Sequence, residues 1–374
     1  MTRRNIVGIL GLFFTLLFFS DCKKKKTEKE ETDESFDKSA MLVNYADKII
    51  LPNFQSFQSV VDSLVVAFNG FAQQKNTASL NALRKKYISA YLKFQRVAAF
   101  EYGPSESENV RTNFNTFPVN INQVNSNINS GNYDLGTVDN IAAKGFPAID
   151  YLLFGENLTD SSIVAQFSTD PSAARRITYL DACITEMQSK INIVVAAWSN
   201  GYKTTFVNST GSQIGSSLGL MINQLNFEID LLKNSKIGIP LGKKSLGLKL
   251  PEKCEAFYAN KISVALAKEC LLNIENIYLG RSTPDTDGLG IDDYLQHLGA
   301  MHGSVSLNEA IKNQFTAALT KLNLVDEPLS SSINSQAAAV DAAYLELVKL
   351  LVLLKTDAPS ALGVIITYQD GDGD

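Results

Sequence analysis

Residues 54–68 read FQSFQSVVDSLVVAF, and the apolar positions Phe54, Phe57, Val61, Leu64 and Phe68 recur at three- and four-residue steps. Only a helix brings such residues onto one face, so the stretch predicts an amphipathic helix with one buried stripe. Extended outward, the pattern predicts a first long helix from about Ala40 to Gln73, bent at Pro52. A second, from about Ala78 to Phe100, carries Leu80, Leu83, Tyr87, Tyr91 and Phe94 on one stripe and stops at Gly103-Pro104. The two are expected to pack antiparallel. Further helices are predicted over about Pro171–Phe206, Gly211–Asn234, Glu252–Leu279, Ser306–Leu322 and Ser331–Thr356, with shorter ones at Gly145–Phe154 and Asp292–Leu298. Strand alternation is confined to Gly363–Tyr368, so the chain reads as all-α.

Between these helices lie two irregular stretches. The Asn- and Ser-rich segment from Ser105 to Gly136 reads as a long loop holding one short helix, and IGIPLGKKSLGLKLP (237–251) has too many Gly and Pro for a regular element. A second helical block begins near Thr159, which divides the chain into domains at 40–160 and 161–374.

The N-terminus sets the expected compartment. Arg3 and Arg4 precede the uncharged run Ile6–Phe19, too short to span a bilayer comfortably and shaped as a signal peptide over residues 1–21. Cys22 follows where a lipoprotein signal is cut, although Asp21 departs from the small residue preferred there. Residues 22–39, with KKKKTEKEETDESFDK, hold too little apolar surface to fold and read as a disordered tether behind a lipidated Cys22. The expected location is the cell envelope, anchored by lipid to the outer membrane or a periplasm-facing membrane.

A net charge of -5 with scattered Lys and Arg argues against nucleic acid as a partner. The two histidines, His297 and His302, stand in HLGAMH without the HExxH spacing of a zinc peptidase. No GxSxG elbow or P-loop occurs, and Gly238, Gly242, Lys243 and Ser245 read as a packing loop. Cys254 and Cys270, placed in one predicted helix, stand about 24 Å apart and cannot pair there. Cys183 either pairs with one of them or all three are small buried residues. Asp370, Asp372 and Asp374 read as an acidic tail. What remains is carboxylate and amide chemistry at Glu101, at Asn115 beside Pro118, and at Asp150 after Gly145, oxygen donors suited to hard cations such as calcium, magnesium or ferric iron.

Six segments in order, RVAAFEYGP (96–104), NTFPVN (115–120), GFPAIDYLLFG (145–155), KIGIPLG (236–242), PEKCEAFY (251–258) and GLGIDDYL (288–295), resemble the imelysin family of bacterial envelope proteins. Members are also described as insulin-cleaving membrane proteases and iron-regulated proteins. The resemblance implies two helical-bundle domains packed side by side, a site near a GxHxxE motif, and a link to iron or other metal acquisition. Here that motif keeps Gly145 but has Pro147 for the histidine and Asp150 for the glutamate. Proline carries no donor, acceptor or titratable group. The expectation is therefore an envelope lipoprotein that binds a metal or small-molecule ligand through Asp150, Glu101 and Asn115, with Gly145, Pro147 and Pro118 as scaffold. It would serve envelope uptake proteins, with iron or another divalent or trivalent cation as cofactor. The alternatives are an imelysin-type metallopeptidase and a surface interaction protein without a small ligand.

Overall fold

The computed structural model describes residues 35–259, 261–282 and 286–368. The expected signal peptide, Cys22, most of the tether and the terminal aspartates lie outside the described residues. No described helix is long and apolar enough to cross a membrane.

The structure is all-α, built as two helical bundles on one contiguous apolar core. The first long helix is a relay: α-helical Lys38–Asn44, a π-helical segment Tyr45–Ile50, then α1 (Leu51–Gln73). The residue before Pro52, Leu51, donates its N–H to Ala46 O, five residues back rather than four. A proline ring clashes with the carbonyl four residues earlier and supplies no N–H, so the extra residue in the turn relieves the clash. The same device recurs twice: Ile239 donates to Asn234 O ahead of Pro240, and Ala358 donates to Leu353 O ahead of Pro359. The expected bend at Pro52 is thus a widened turn just upstream of it.

Helix α2 (Thr77–Phe94) starts in a capping box of Asn76 and Ser79, packs along α1, and buries Leu80, Leu83, Tyr87, Tyr91 and Phe94 as expected, Phe94 meeting Phe57 and the two tyrosines meeting Phe146. Between α2 and the next motif, the stretch expected to be a long loop holding one short helix folds into three short helices, Pro104–Ser107, α3 (Val110–Asn115) and Ile121–Ser130. The Asn residues that suggest a loop serve as caps: Asn120 accepts from Gln123 N and Asn109 adopts left-handed backbone. Helix α4 (Gly145–Phe154) follows, buried along most of its length. Helix α5 (Ala173–Ala197) then lies along α1 and α4 with Leu180, Ile184, Met187 and Ile191 inward. The expected boundary near residue 160 therefore cuts through the first bundle, because α5 completes that bundle.

The second bundle is formed by α6 (Ser217–Leu231), α7 (Ser263–Tyr278), α8 (Leu307–Leu322) and α9 (Ala337–Val352). Past Leu231 the helix continues through a π segment Leu232–Gly238 to Ile239–Leu241, so the irregular stretch expected from Lys236 begins only at Gly242, where φ is +97°. Conversely, the helix expected from Glu252 begins at Ser263; residues 251–259 wrap as a short 3-10 turn and bends. Cys254 is therefore not helical, and Cys183, Cys254 and Cys270 are free and buried. The expected strand at 363–368 does not form: the Asn223 side chain bonds Ile365 O and Thr367 N, filling the place of a neighbouring strand. The β-pairing among the described residues, apart from an isolated bridge between Ser282 and Thr286, is the two-residue hairpin Met301–His302 with Val305–Ser306. Tyr45 sews the long first helix to the second bundle, donating to Ile277 O at 2.6 Å and accepting from Ile291 N at 3.0 Å.

Candidate functional site

The local sequence forces the shape of the motif helix α4. Gly145 has φ +64°, and a Cβ there would stand 2.4 Å from Phe114 O, so only glycine lets α4 lie against α3. Pro147 sits in the first turn, where its missing N–H costs nothing. One turn later Asp150, 1% exposed, spends its two carboxylate oxygens on backbone: Oδ2 accepts from Tyr258 N at 2.8 Å and Oδ1 from Ala259 N at 2.9 Å. Burial raises its pKa to about 7, against the opposing pull of these N–H groups and of the Tyr87 hydroxyl. The recess beside it, lined by Pro118, Pro147, Cys254 and Tyr258, has a volume of about 20 Å³. That is room for a water at most.

Asn115 works on the same wrapped segment from the other side. Its Nδ2 donates to Glu255 Oε1 at 2.7 Å, while its Oδ1 accepts from the Tyr91 hydroxyl. Glu255 is 1% exposed and forms a buried ion pair with Lys236 at 3.0 Å. Gln95 closes the group, accepting from Lys236 Nζ at 2.5 Å and donating to Glu255 at 3.2 Å. Burial alone would lower the Lys236 pKa; the facing Glu255 carboxylate outweighs it and the ammonium is held above its ordinary value. Glu101 stands apart, accepting from Ser105 Oγ at 2.9 Å and from Arg111 N at 3.0 Å. Burial raises its pKa and the Arg111 charge opposes the rise.

The three expected site residues thus share no direct hydrogen bond or ion pair. Asp150 and Asn115 are linked indirectly, through residues 255–259 and through the neighbouring Tyr87 and Tyr91, while Glu101 is held by Ser105 and Arg111. No sequence pattern singles out Arg111, Glu228, Lys236 or Glu255, although KIGIPLG and PEKCEAFY contain two of them. Their pairing spans gaps such as Arg111 to Glu228, which local spacing does not register.

A larger pocket opens on the seam of the bundles, about 190 Å³, between Phe94 of α2, Arg111, Thr112 and Asn115 of α3, Phe117, and Phe227, Glu228, Leu231 and Lys236 of the α6 relay. The Arg111 guanidinium lies over the Phe227 ring at 4.7 Å and donates to Ala98 O and Gln224 Oε1. Its Nε stands 3.4 Å from Glu228 Oε2, an ion pair in a poor hydrogen-bonding alignment.

The family model of imelysin matches residues 50–354. The chain belongs to the imelysin family. Iron-regulated protein A of Synechococcus elongatus is 21% identical over 342 residues, covering 90% of this chain and 87% of that protein. Two solved structures share the fold. One is a candidate iron-regulated protein A precursor from Parabacteroides distasonis, with TM-score 0.73, 16% identity and coverage of 87% and 95% of the two chains. The other is an imelysin-like protein from Psychrobacter arcticum, with TM-score 0.65, 15% identity and coverage of 88% and 97%.

In this imelysin the motif position does not fit a resident metal of the kind the family motif implies. The Pro147 side chain has no lone pair to offer, and both Asp150 oxygens are engaged by backbone N–H groups. Among the described residues no group of three or more His, Cys, Asp or Glu is placed to hold a metal ion. His302 pairs instead with Asp357 at 2.9 Å, and the His297 ring lies against Phe36.

Proposed function

We propose that this imelysin is an exported cell-envelope lipoprotein that captures a small ligand in the pocket between its bundles and hands it to an uptake system. The observation that carries the reading is the pocket itself: about 190 Å³, walled by Phe94, Phe117 and Phe227 and floored by the charged side chains Arg111, Glu228 and Lys236. Apolar walls around a few fixed polar groups are the usual build of a small-ligand site. Iron enters the proposal from the name of the relatives, as cargo in a small complex rather than as a cofactor held at Asp150. Anchoring through Cys22 would keep the folded part at a membrane surface, and the partners would be envelope uptake proteins.

The test is the melting temperature of the purified protein across a panel of ferric chelates and free metal ions. A ligand that binds the native state alone raises it, by about 2.7 kcal/mol of stability at a hundredfold excess over Kd. The rise should vanish when the pocket is obstructed by Thr112→Trp, a substitution at an exposed lining position. A panel without any stabilising member, or a rise untouched by Thr112→Trp, would refute the assignment of the pocket.

A further inference from the structure

Most polar groups around the pocket are closed on one another; the buried atoms there without a hydrogen bond are Arg111 Nε, Glu228 Oε2 and Glu255 Oε2, the last of which still faces the Lys236 ammonium at 3.0 Å. Lys236 donates to Gln95 and to Glu255, Asn115 is used by Tyr91 and Glu255, and Arg111 Nη2 serves Ala98 O and Gln224. Of the two carboxylates, Glu228 has the fewer donors. It is 2% exposed, its Oε1 accepts only the weak thiol donor of Cys270 at 3.4 Å, and its Oε2 has no hydrogen-bond donor. Arg111 does not complete it, because the same side chain faces the Glu101 carboxylate and presents Nε to Glu228 out of line. Burial of a carboxylate oxygen without a donor costs more than the net worth of an ordinary hydrogen bond, so the site is built to receive one.

We infer that Glu228 is the recognition group of the pocket and that the ligand presents an organic ammonium to it, carried on an apolar stem that lies between Phe94, Phe117 and Phe227. This rests on the ligand-capture reading above and names the chemistry of that ligand. An ammonium supplies the missing donor and a second positive charge where the single Arg111 guanidinium is shared by Glu101 and Glu228, and aromatic faces favour it further. An anion is disfavoured, since the Lys236 ammonium is spent on Gln95 and Glu255 and the Arg111 guanidinium already faces the carboxylates of Glu101 and Glu228. A bare metal ion would meet one carboxylate and the hydroxyls of Thr112, Thr116 and Ser235, too few charged oxygens for a hard cation. An apolar cavity of about 150 Å³ holds benzene, so the stem can be as large as one ring, either as a whole small amine or as the amine-tipped arm of a larger complex.

The experiment is calorimetric titration of the full chain with benzylammonium and n-butylammonium, against benzoate and benzyl alcohol as charge-reversed and neutral probes of similar shape. The ammonium probes should bind and the other two should not. Glu228→Gln keeps the shape of the side chain; it should weaken the ammonium probes by roughly tenfold or more and let benzoate in beside the freed Arg111, an inversion that a merely structural role would not produce. Thr112→Trp should abolish binding of either class while leaving the melting temperature close to the parent value. Binding of benzoate or benzyl alcohol in preference to the ammonium probes overturns the inference and leaves the ligand-capture reading standing. Silence from all four probes also overturns it, and the ligand-capture reading is then decided separately by the ferric-chelate panel. Ammonium binding that survives Glu228→Gln unchanged overturns the role of Glu228.

Discussion

Replacing Asp150 by Asn should change how the stability of this imelysin depends on pH. Burial raises the Asp150 pKa from 3.8 to about 7 in the folded protein. In the unfolded chain the ordinary value returns. The native state therefore holds the proton more tightly, and the contribution of Asp150 to stability is greatest below the unfolded value and declines as pH climbs to the folded one. At about 1.4 kcal/mol per pKa unit, the whole span is worth roughly 4 kcal/mol, of which about 2 kcal/mol falls between about pH 5.5 and about pH 8. Asn cannot titrate. It also turns an N–H donor toward Tyr258 or Ala259, a pH-independent loss of about 1–3 kcal/mol. Urea unfolding of both proteins across that range should show the advantage of the parent over Asp150→Asn shrinking by about 2 kcal/mol as the pH rises. The raised carboxyls Glu101, Glu275 and Asp292 are common to both and cancel in the difference. Parallel curves would mean that Asp150 titrates at its ordinary value, and the burial argument for it would fail.

Lys236→Met should lower stability by about 3–5 kcal/mol because it strands Glu255 in the interior, and adding Glu255→Leu should recover most of the loss; denaturant midpoints of the single and double variants decide it. Gly145→Ala should cost at least about 2 kcal/mol, from the left-handed backbone and the collision with Phe114 O, and a thermal melt within error of the parent would contradict the close approach of α4 to α3. For the proposed anchor, fatty-acid labelling in cells should mark the parent protein and not Cys22→Ser; equal labelling would place the lipid elsewhere.

The periodic helices are legible in the sequence because burial on one face leaves a direct trace, as Phe54 to Phe68 and Leu80 to Phe94 do. Elements whose form depends on distant partners are not. Residues 251–259 have a composition that suits a helix, yet Asp150 claims the N–H groups of Tyr258 and Ala259, and Glu255 is drawn to Lys236 and Asn115. A helix there would need those same N–H groups. The Gly- and Pro-rich run after Lys236 looks irregular because proline ordinarily breaks a helix, whereas a π turn upstream accommodates Pro240. Asp150 and Asn115 are legible as special residues, but their partners, and the pocket formed by Arg111 and Glu228, depend on how the bundles meet.

The widened turns ahead of Pro52, Pro240 and Pro359 have a consequence for the ancestry of the chain. A π turn is an ordinary helix that has gained one residue, and each gain advances everything downstream by about 100° around the axis. In the α6 relay that advance sets which way Lys236 faces, so the Lys236–Glu255 pair is in phase only while the additional residue is retained. Homologous imelysins that lack Pro240 should align with a single-residue gap between Leu232 and Gly238, and those that keep the proline should keep the full count.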